Sequence, residues 1–350
     1  MSGKLFIHAT NVHQGGGFSL LKALIGTLNK HIKYFLVIDE RMPVPEHTTC
    51  NTQILRIKPS IWNRLKAERW VAQNASESDI VLCFGNLPPL FKVRGHVVVF
   101  VQNRYLLDGV KLNAFPLRVR WRLCIERLWL SIKIRNANEF VVQTPSMMKL
   151  LKIKTQGRIP IRVLPFVAES AGYMRISMQS NLHKEIHSDF VYVASGEPHK
   201  NHARLIEAWC LLANENLFPS LCLTLNAVRF SDLCETIEKL KQKHGLKISN
   251  VGELVHSDVL MLYARSGAAI YPSTFESFGL PLIEARQAGL PVLASELDYV
   301  RDVLDPEQVF DPSSAVSIAR AVKRFMGTAE QPLPLLSATE FLDQILAKAK

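Results

Sequence analysis

At 350 residues the chain is long enough for two domains, each with its own core. A hydrophobic share of 48% against 21% charged residues excludes a disordered chain, and no apolar run reaches the ~18 residues that would span a bilayer. The net charge of +11 is uneven: 25 of the 42 Lys and Arg, but only 9 of the 31 Asp and Glu, fall within the first 165 residues. The basic half is therefore expected to face something anionic, such as membrane headgroups, a lipid pyrophosphate or nucleic acid. Six scattered cysteines without a Cys-x-x-Cys pair read as reduced thiols of a cytoplasmic protein, and not as a metal site or disulfide frame. Met1 to Lys4 runs straight into a strand, so no secretory signal is expected.

Residues 5–9 read as a strand, followed by a glycine run, Gly15, Gly16 and Gly17, and then by Phe18, Leu21, Leu24, Ile25 and Leu28 at helical spacing. The glycines form either a tight turn or a loop that lets a phosphate approach; they match neither Gly-x-Gly-x-x-Gly nor a P-loop with its lysine. A second strand covers 34–38, and further buried strands cover 80–84 and 97–101, alternating with helical patterns. That alternation predicts a parallel sheet, whose ligands bind beyond the carboxyl ends of its strands. Gly85, Asn86, Gln102, Asn103 and Arg104 thus become candidates for a cleft wall, or else ordinary loop polars. The segment 117–135 is basic and amphipathic: Trp121, Ile125, Leu128 and Ile132 share one helical face, and only Glu126 opposes Arg118, Arg120, Arg122 and Arg127. It reads either as a helix lying in the headgroup layer of an anionic membrane or as a core-packed helix with a solvated basic face; residues 61–66 repeat the theme weakly. A helix capped near Ser146 is expected after the strand ending at 144.

Between Pro165 and about Phe190 the periodicity dissolves. The expected organisation is a first domain over 1–168, a linker over 169–189, a second domain over 190–330 and a tail over 331–350, with a capping box at Ser337 to Glu340 opening a last helix. The second domain begins with a strand at 189–194, then Ser195, Gly196 and Lys200. A lysine beside a glycine loop at a strand's carboxyl end is placed to meet a diphosphate as a mobile point charge, although a lone loop lysine is more often simply solvated. His199 and His202 are expected to shape this loop, since no third metal ligand accompanies them.

The most informative stretch is 268–285. A short apolar strand ending at Tyr271 leads into Glu276, Ser277, Phe278, Gly279 and Leu280, then Pro281 where the first turn of a helix belongs, and Glu284 about one turn further on. Free N–H groups at that helix end suit a phosphate. The two glutamates should meet one ligand at different heights, and a carboxylate can accept both hydroxyls of a ribose or sugar. The Glu276–Glu284 spacing, with Phe278 to Pro281 between, resembles the signature of the retaining nucleotide-sugar glycosyltransferases of the GT-B fold, the glycosyl transferases group 1 family.

That resemblance implies an α/β protein of two Rossmann-like domains facing a central cleft, with a C-terminal helix crossing back to the first domain. It implies transfer of a sugar from a nucleotide diphosphate sugar, GDP-mannose or a UDP-hexose, to a saccharide or lipid-linked acceptor in cell-surface polysaccharide synthesis of the lipopolysaccharide O-antigen type. No cofactor is implied, and without an Asp-x-Asp motif no metal. Catalytic roles fall to Lys200, Glu276 and Glu284: Glu284 on the nucleotide ribose, Glu276 on donor-sugar hydroxyls, Lys200 on the diphosphate. Donor contacts fall to Gly16, Gly17, Ser195, Gly196, Ser277, Phe278, Gly279 and Leu280, and to the loop Val251, Gly252, Glu253 and Leu254 beside the nucleobase. Gly15, Gln102, Asn103 and Arg104 lie on the acceptor or donor-sugar side. The chain departs from the family in lacking an Arg shortly before Lys200, and in carrying Gln102 and Asn103 where many members have a His. The first departure keeps open a second reading, a catalytically inactive module that binds nucleotide sugar or organises a polysaccharide assembly complex. Nucleic acid is not an expected partner, because no stacking aromatics or recognition helix accompany the positive charge. The expected location is the cytoplasm, with peripheral contact of 117–135 at the inner face of the membrane.

Overall fold

A computed structural model of the chain describes residues 3–28, 33–43, 52–110, 112, 115–167 and 187–328. Nearly all of the expected linker, and the expected tail helix with its crossing to the first domain, lie outside the described residues.

Apolar residues at consecutive positions build a first sheet from strands β1 (Leu5–Ala9), β2 (Tyr34–Asp39), β3 (Thr52–Ile57), β4 (Ile80–Cys83), β5 (His96–Phe100), β6 (Glu139–Val142) and β7 (Ile161–Val163). Their order is β3-β2-β1-β4-β5-β6-β7, parallel at every junction. Because side chains alternate, Phe6, Val37, Val97 and Val99 enter one core and Ile7, Leu36, Val98 and Phe100 the other. Covering both faces is what lets these strands read as unbroken apolar runs. Helix α1 (Gly15–Gly26) closes one face with Leu20, Leu21 and Ile25. The opposite face is closed by α2 (Ile61–Asn74), α3 (Leu117–Lys133) and α4 (Pro145–Thr155) through Val71, Leu123, Leu130, Met147 and Leu151.

Two expectations change here. Helix α4 is capped by Thr144, whose Oγ1 accepts from the Met147 N–H at 3.2 Å, not by Ser146. Pro145 opens the helix because it has no N–H to leave unpaired. The Ser146 N–H instead donates to Asp302 in the second half of the chain at 3.0 Å. Helix α3 enters the core through Leu123 and Leu130, so Trp121, Ile125, Leu128 and Ile132 point to solvent. The face that carries these four residues is therefore not core-packed.

The second sheet has strands β8 (Ser188–Tyr192), β9 (Leu221–Leu223), β10 (Ile248–Asn250), β11 (Ser266–Tyr271), β12 (Val292–Ser295) and β13 (Gln308–Phe310). Their order is β10-β9-β8-β11-β12-β13, again parallel. Helices α5 (His202–Asn214), α6 (Ser231–His244), α7 (His256–Ala264), α8 (Leu280–Gln287), α9 (Asp298–Arg301) and α10 (Ala315–Phe325) flank it. Trp209 of α5 anchors this core: it is 1% exposed, meets Phe190 edge-on at 5.6 Å and donates its Nε1–H to the Pro219 carbonyl at 2.9 Å.

Strand order reverses between β1 and β4 in the first sheet and between β8 and β11 in the second. At such points consecutive connections leave to opposite sides and a crevice opens beyond the carboxyl ends. Trp209→Ala should lower stability by ~3–5 kcal/mol in urea unfolding, from lost burial plus an unpaired Pro219 carbonyl.

Candidate active site

The loop after β8 and the loop after β11 meet because their strands are neighbours. Lys200 lies at the end of the first, and its Nζ reaches Glu276 Oε1 in the second at 2.5 Å. The same oxygen accepts from Ser273 Oγ at 2.8 Å and from the Tyr271 hydroxyl at 3.1 Å. Three donors therefore converge on one carboxylate oxygen. The loops are held by Tyr192 OH on the Lys200 carbonyl (2.7 Å), by Tyr299 OH on the Ser273 carbonyl (2.9 Å) and by the Thr274 N–H on the His199 carbonyl (2.8 Å). Asn201 takes a left-handed backbone, φ 63°, and its amide donates to the carbonyls of Pro272 (3.1 Å) and Pro312 (2.7 Å). Asparagine tolerates that backbone better than most residues, and its two donors join three loops. His202 packs on the Tyr192 ring at 4.7 Å, and burial pushes its imidazole down to about 3, so it is neutral at physiological pH.

After Glu276 the chain turns through Gly279 at φ 72° into α8, with Pro281 in the first turn. Only glycine takes that turn at little cost, and it brings the start of α8, Leu280 and Pro281, to the wall of a cavity of 480 Å³. Gly196 serves close approach: a Cβ there would lie 2.5 Å from the Phe230 ring. Glu284 lines the cavity one turn into α8 with a side chain only 20% exposed, and burial raises its carboxyl to about 7. His256 Nδ1 stands 3.6 Å away, but burial and Lys22 lower its basicity, so it supplies little compensating charge. A second cation, Arg229, lines the same cavity. Its guanidinium stacks over Phe230 at 5.1 Å and donates to Glu197 at 3.1 Å, and Ser195 Oγ donates to the same Glu197 side chain.

The first domain supplies the facing wall. Asn86, left-handed at φ 71°, accepts from the N–H groups of Gln102 (2.6 Å) and Asn103 (2.9 Å) through its side-chain oxygen, so the loops after β4 and β5 hold each other. Gly16 comes so close to Leu280 that a Cβ would meet it at 2.9 Å. A second cavity of 270 Å³ adjoins the first, sharing Gly17, Gln102, Glu276 and Ser277, and is lined further by Asn11, Gln14, Asn86, Asn103, Arg104 and Tyr105. Tyr105 lies against Phe275 at 4.3 Å between ring centres, Arg104 covers the same ring at 4.6 Å, and Arg104 Nη1 donates to the Glu276 carbonyl at 3.4 Å.

Of the residues picked out from sequence, Gly16, Gly17, Gln102, Ser195, Lys200, Glu253, Leu254, Glu276, Ser277, Phe278, Gly279, Leu280 and Glu284 line the larger cavity, and Asn103 and Arg104 line the smaller one. Gly15, Gly196, Val251 and Gly252 line neither; Val251 is turned to solvent. Sequence reasoning missed Arg229, Tyr105 and Phe275. No local pattern marks Arg229, which reaches the site only because β9 lies beside β8. Among the described residues, no group of three His, Cys, Asp or Glu stands where it could hold a metal ion.

Two parallel, doubly wound sheets with a ligand-sized cleft between their switch points define the GT-B fold. Sucrose-phosphate synthase (tll1590) from Thermosynechococcus elongatus superposes with a TM-score of 0.65 over 93% of this chain and 90% of its own, at 17% identity. Residues 174–333 match the family model described as Glycosyl transferases group 1. Among curated relatives, the serotype-specific mannosyltransferase WbdA of Escherichia coli is 32% identical over 149 residues, 41% of this chain and 18% of WbdA. The O-antigen chain mannosyltransferase B of Escherichia coli is 29% identical over 132 residues, 37% of this chain and 34% of that relative. The matched stretches thus span about a fifth and a third of those relatives' own lengths.

The raised carboxyl of Glu284 has a consequence for stability. A buried acid favours its neutral form, so its contribution is full below about 4.5 and is lost as pH rises through about 7. Glu284→Gln should therefore leave stability unchanged near pH 4 and raise it at pH 8, by up to ~3 kcal/mol. Thermal unfolding at the two pH values checks this; equal shifts at both would contradict it.

Proposed function

We propose that the chain transfers a hexosyl group, with mannose from GDP-mannose the first candidate, to a saccharide or lipid-linked saccharide acceptor in cell-surface polysaccharide synthesis. The observation that carries this reading is the 480 Å³ cavity in which Lys200, Arg229 and the start of α8 meet the two acids Glu276 and Glu284. The relatives' names supply the choice of mannose, and the smaller cavity, rich in amides, suits the hydroxyls of an acceptor sugar.

In this reaction the bond from the donor's anomeric carbon to the β-phosphate oxygen breaks, and the acceptor hydroxyl oxygen forms its bond to the same carbon. Negative charge grows on the departing diphosphate, and the acceptor proton passes to it. Catalysis therefore depends on fixed positive potential around the β-phosphate, which pre-oriented groups supply without reorganising. Lys200 and Arg229 provide charge, and α8 provides N–H donors, so the proposed mechanism is metal-independent. Arg229 takes the place of the Arg that the family pattern has near Lys200. Glu276 keeps Lys200, Tyr271 and Ser273 on Oε1 and accepts donor-sugar hydroxyls on Oε2, while Glu284 accepts the ribose hydroxyls. Departure and attack on one face of the sugar retain the anomeric configuration. A lipid-linked acceptor places the reaction at the cytoplasmic face of a membrane.

Thermal shift against GDP-mannose, UDP-glucose, UDP-galactose and UDP-N-acetylglucosamine tests the donor, because a ligand that binds only the folded chain raises its melting temperature. One donor should stabilise the native protein and be slowly hydrolysed to nucleoside diphosphate. Stabilisation without hydrolysis or transfer would favour an inactive binding module, and no stabilisation by any donor would end the reading. Lys200→Ala should abolish turnover and, by leaving the Glu276 carboxylate without its ammonium, lower the melting temperature as well. Arg229→Ala should weaken nucleoside diphosphate binding by about 10–100-fold, the loss of a charge-assisted hydrogen bond, and leave binding of the bare nucleoside unchanged.

The ribose contact adds a pH dependence. Binding of GDP-mannose, whose diphosphate diester does not titrate in this range, should strengthen as pH rises from 6 to 8 and Glu284 ionises. Glu284→Gln should bind more weakly and lose that slope. A flat native profile in calorimetric titration would remove Glu284 from the ribose.

A further inference from the structure

Helix α3 turns a second apolar face away from the protein. Leu117, Trp121, Ile125, Leu128 and Ile132 recur every three or four residues and are 58% to 70% exposed, whereas Leu123 and Leu130 on the opposite side are buried. Single exposed apolar side chains are ordinary, but a continuous stripe of roughly 22 Å is not. A surface helix normally puts such a stripe into the core. Beside it, α2 packs with Arg64 over the Trp129 ring at 4.2 Å, and its first turn exposes Ile61 and Trp62 by 79% and 77%. Two exposed tryptophans on neighbouring helices suit an interface that is apolar on one side and wet on the other.

Charge surrounds the stripe. Arg118 and Arg122 flank it on the helix, and the one acid of α3, Glu126, faces Arg122 at 3.9 Å. Where the stripe ends, a separate cavity of 360 Å³ opens between the end of α3 and the end of α4, lined by Ser131, Arg135, Lys154 and Arg158 among others and, among the described residues, by no acid. Among the described residues none of its three cations is in an ion pair. Lys154 donates to the Leu106 carbonyl at 2.9 Å, and burial, followed by Arg127, lowers its basicity, as expected of a cation short of counter-charge. A second copy of the chain would bring the same cations against one another across a two-fold contact, whereas an anionic lipid surface would complement both stripe and cavity.

We propose that the outer face of α3, with the first turn of α2, docks on an anionic bilayer, the stripe entering the headgroup–acyl boundary and the cavity at its end receiving a lipid phosphate. The surface is wired to the cleft. Arg127 of α3 donates to the carbonyls of Tyr105 (2.7 Å) and Asp108 (2.9 Å), and Lys154 of α4 holds Leu106, so docking elements grip the loop that places Arg104 and Tyr105 in the smaller cavity. This last link rests on the transferase reading; the docking itself does not. A lipid-carried acceptor would thereby present its saccharide end at the cleft without leaving the membrane.

Co-sedimentation of the full chain with vesicles tests the proposal. Native protein should bind phosphatidylglycerol–phosphatidylcholine vesicles and bind pure phosphatidylcholine at least about tenfold less. Trp121→Glu with Leu128→Glu should abolish binding, and Arg135→Gln with Arg158→Gln should reduce it by about tenfold on the anionic vesicles alone. All four side chains are exposed, so melting temperature and the shift produced by GDP-mannose should not change, which separates failure of docking from failure of the transferase reading. Equal binding to both vesicle types would overturn the anionic part. Inorganic phosphate that raises the melting temperature and displaces no protein from vesicles would make the cavity a free-phosphate site. A dimer in solution that Trp121→Glu dissociates, with no vesicle binding, would assign the stripe to a second copy.

Discussion

The cleft is built on one carboxylate oxygen. Lys200, Tyr271 and Ser273 all direct donors at Glu276 Oε1, and each comes from the end of a central strand or the loop that follows it. An ammonium and a carboxylate, each only 14% exposed, lose much of their hydration, so the pair holds only if the surrounding hydrogen bonds are complete. Tyr192, Tyr299 and Asn201 complete them by binding backbone carbonyls of the same loops. Moving any of these strands would leave a buried charge without its partner.

The neighbouring acid shows the contrary design. Among the described residues, Glu284 has no cation within ion-pair distance apart from a His256 that burial and Lys22 keep short of charge, so its own burial raises its carboxyl. One acid is satisfied before any ligand arrives, and the other is left to be satisfied by whatever enters. A carboxyl that burial raises in this way, on the wall of a cleft, is a mark of a functional site.

The two halves of the chain contribute unlike things to the cleft. The second brings the charges and the helix end; the first brings amides, glycines and the Tyr105 ring. They meet through the Tyr105–Phe275 ring pair, through Leu280 packed against the first core, and through hydrogen bonds of Arg104, Thr144 and Ser146 to carbonyls and a carboxylate across the gap. The positive charge concentrated before residue 165 falls largely outside this meeting line, on the surface of α2, α3 and the end of α4, where it frames apolar side chains.

Much of this was legible in the chain itself. Strand identity followed from apolar runs, because a parallel sheet covered on both faces needs every residue apolar. The turn at Gly279 and the start of α8 followed from glycine and proline chemistry, which is local. Lys200, Glu276 and Glu284 stood out because strand-end loops of such sheets are where ligands bind. What sequence could not supply was adjacency between distant segments. That Arg229 reaches Glu197 depends on β9 lying beside β8; that Tyr105 meets Phe275 depends on how two sheets face each other. The spacing of Trp121, Ile125, Leu128 and Ile132 placed them on one side of a helix, but periodicity is the same whether that side is buried or exposed. Only the packing of Leu123 and Leu130 decided that it faces outward, because a helix has one core-facing side and tertiary contacts choose which.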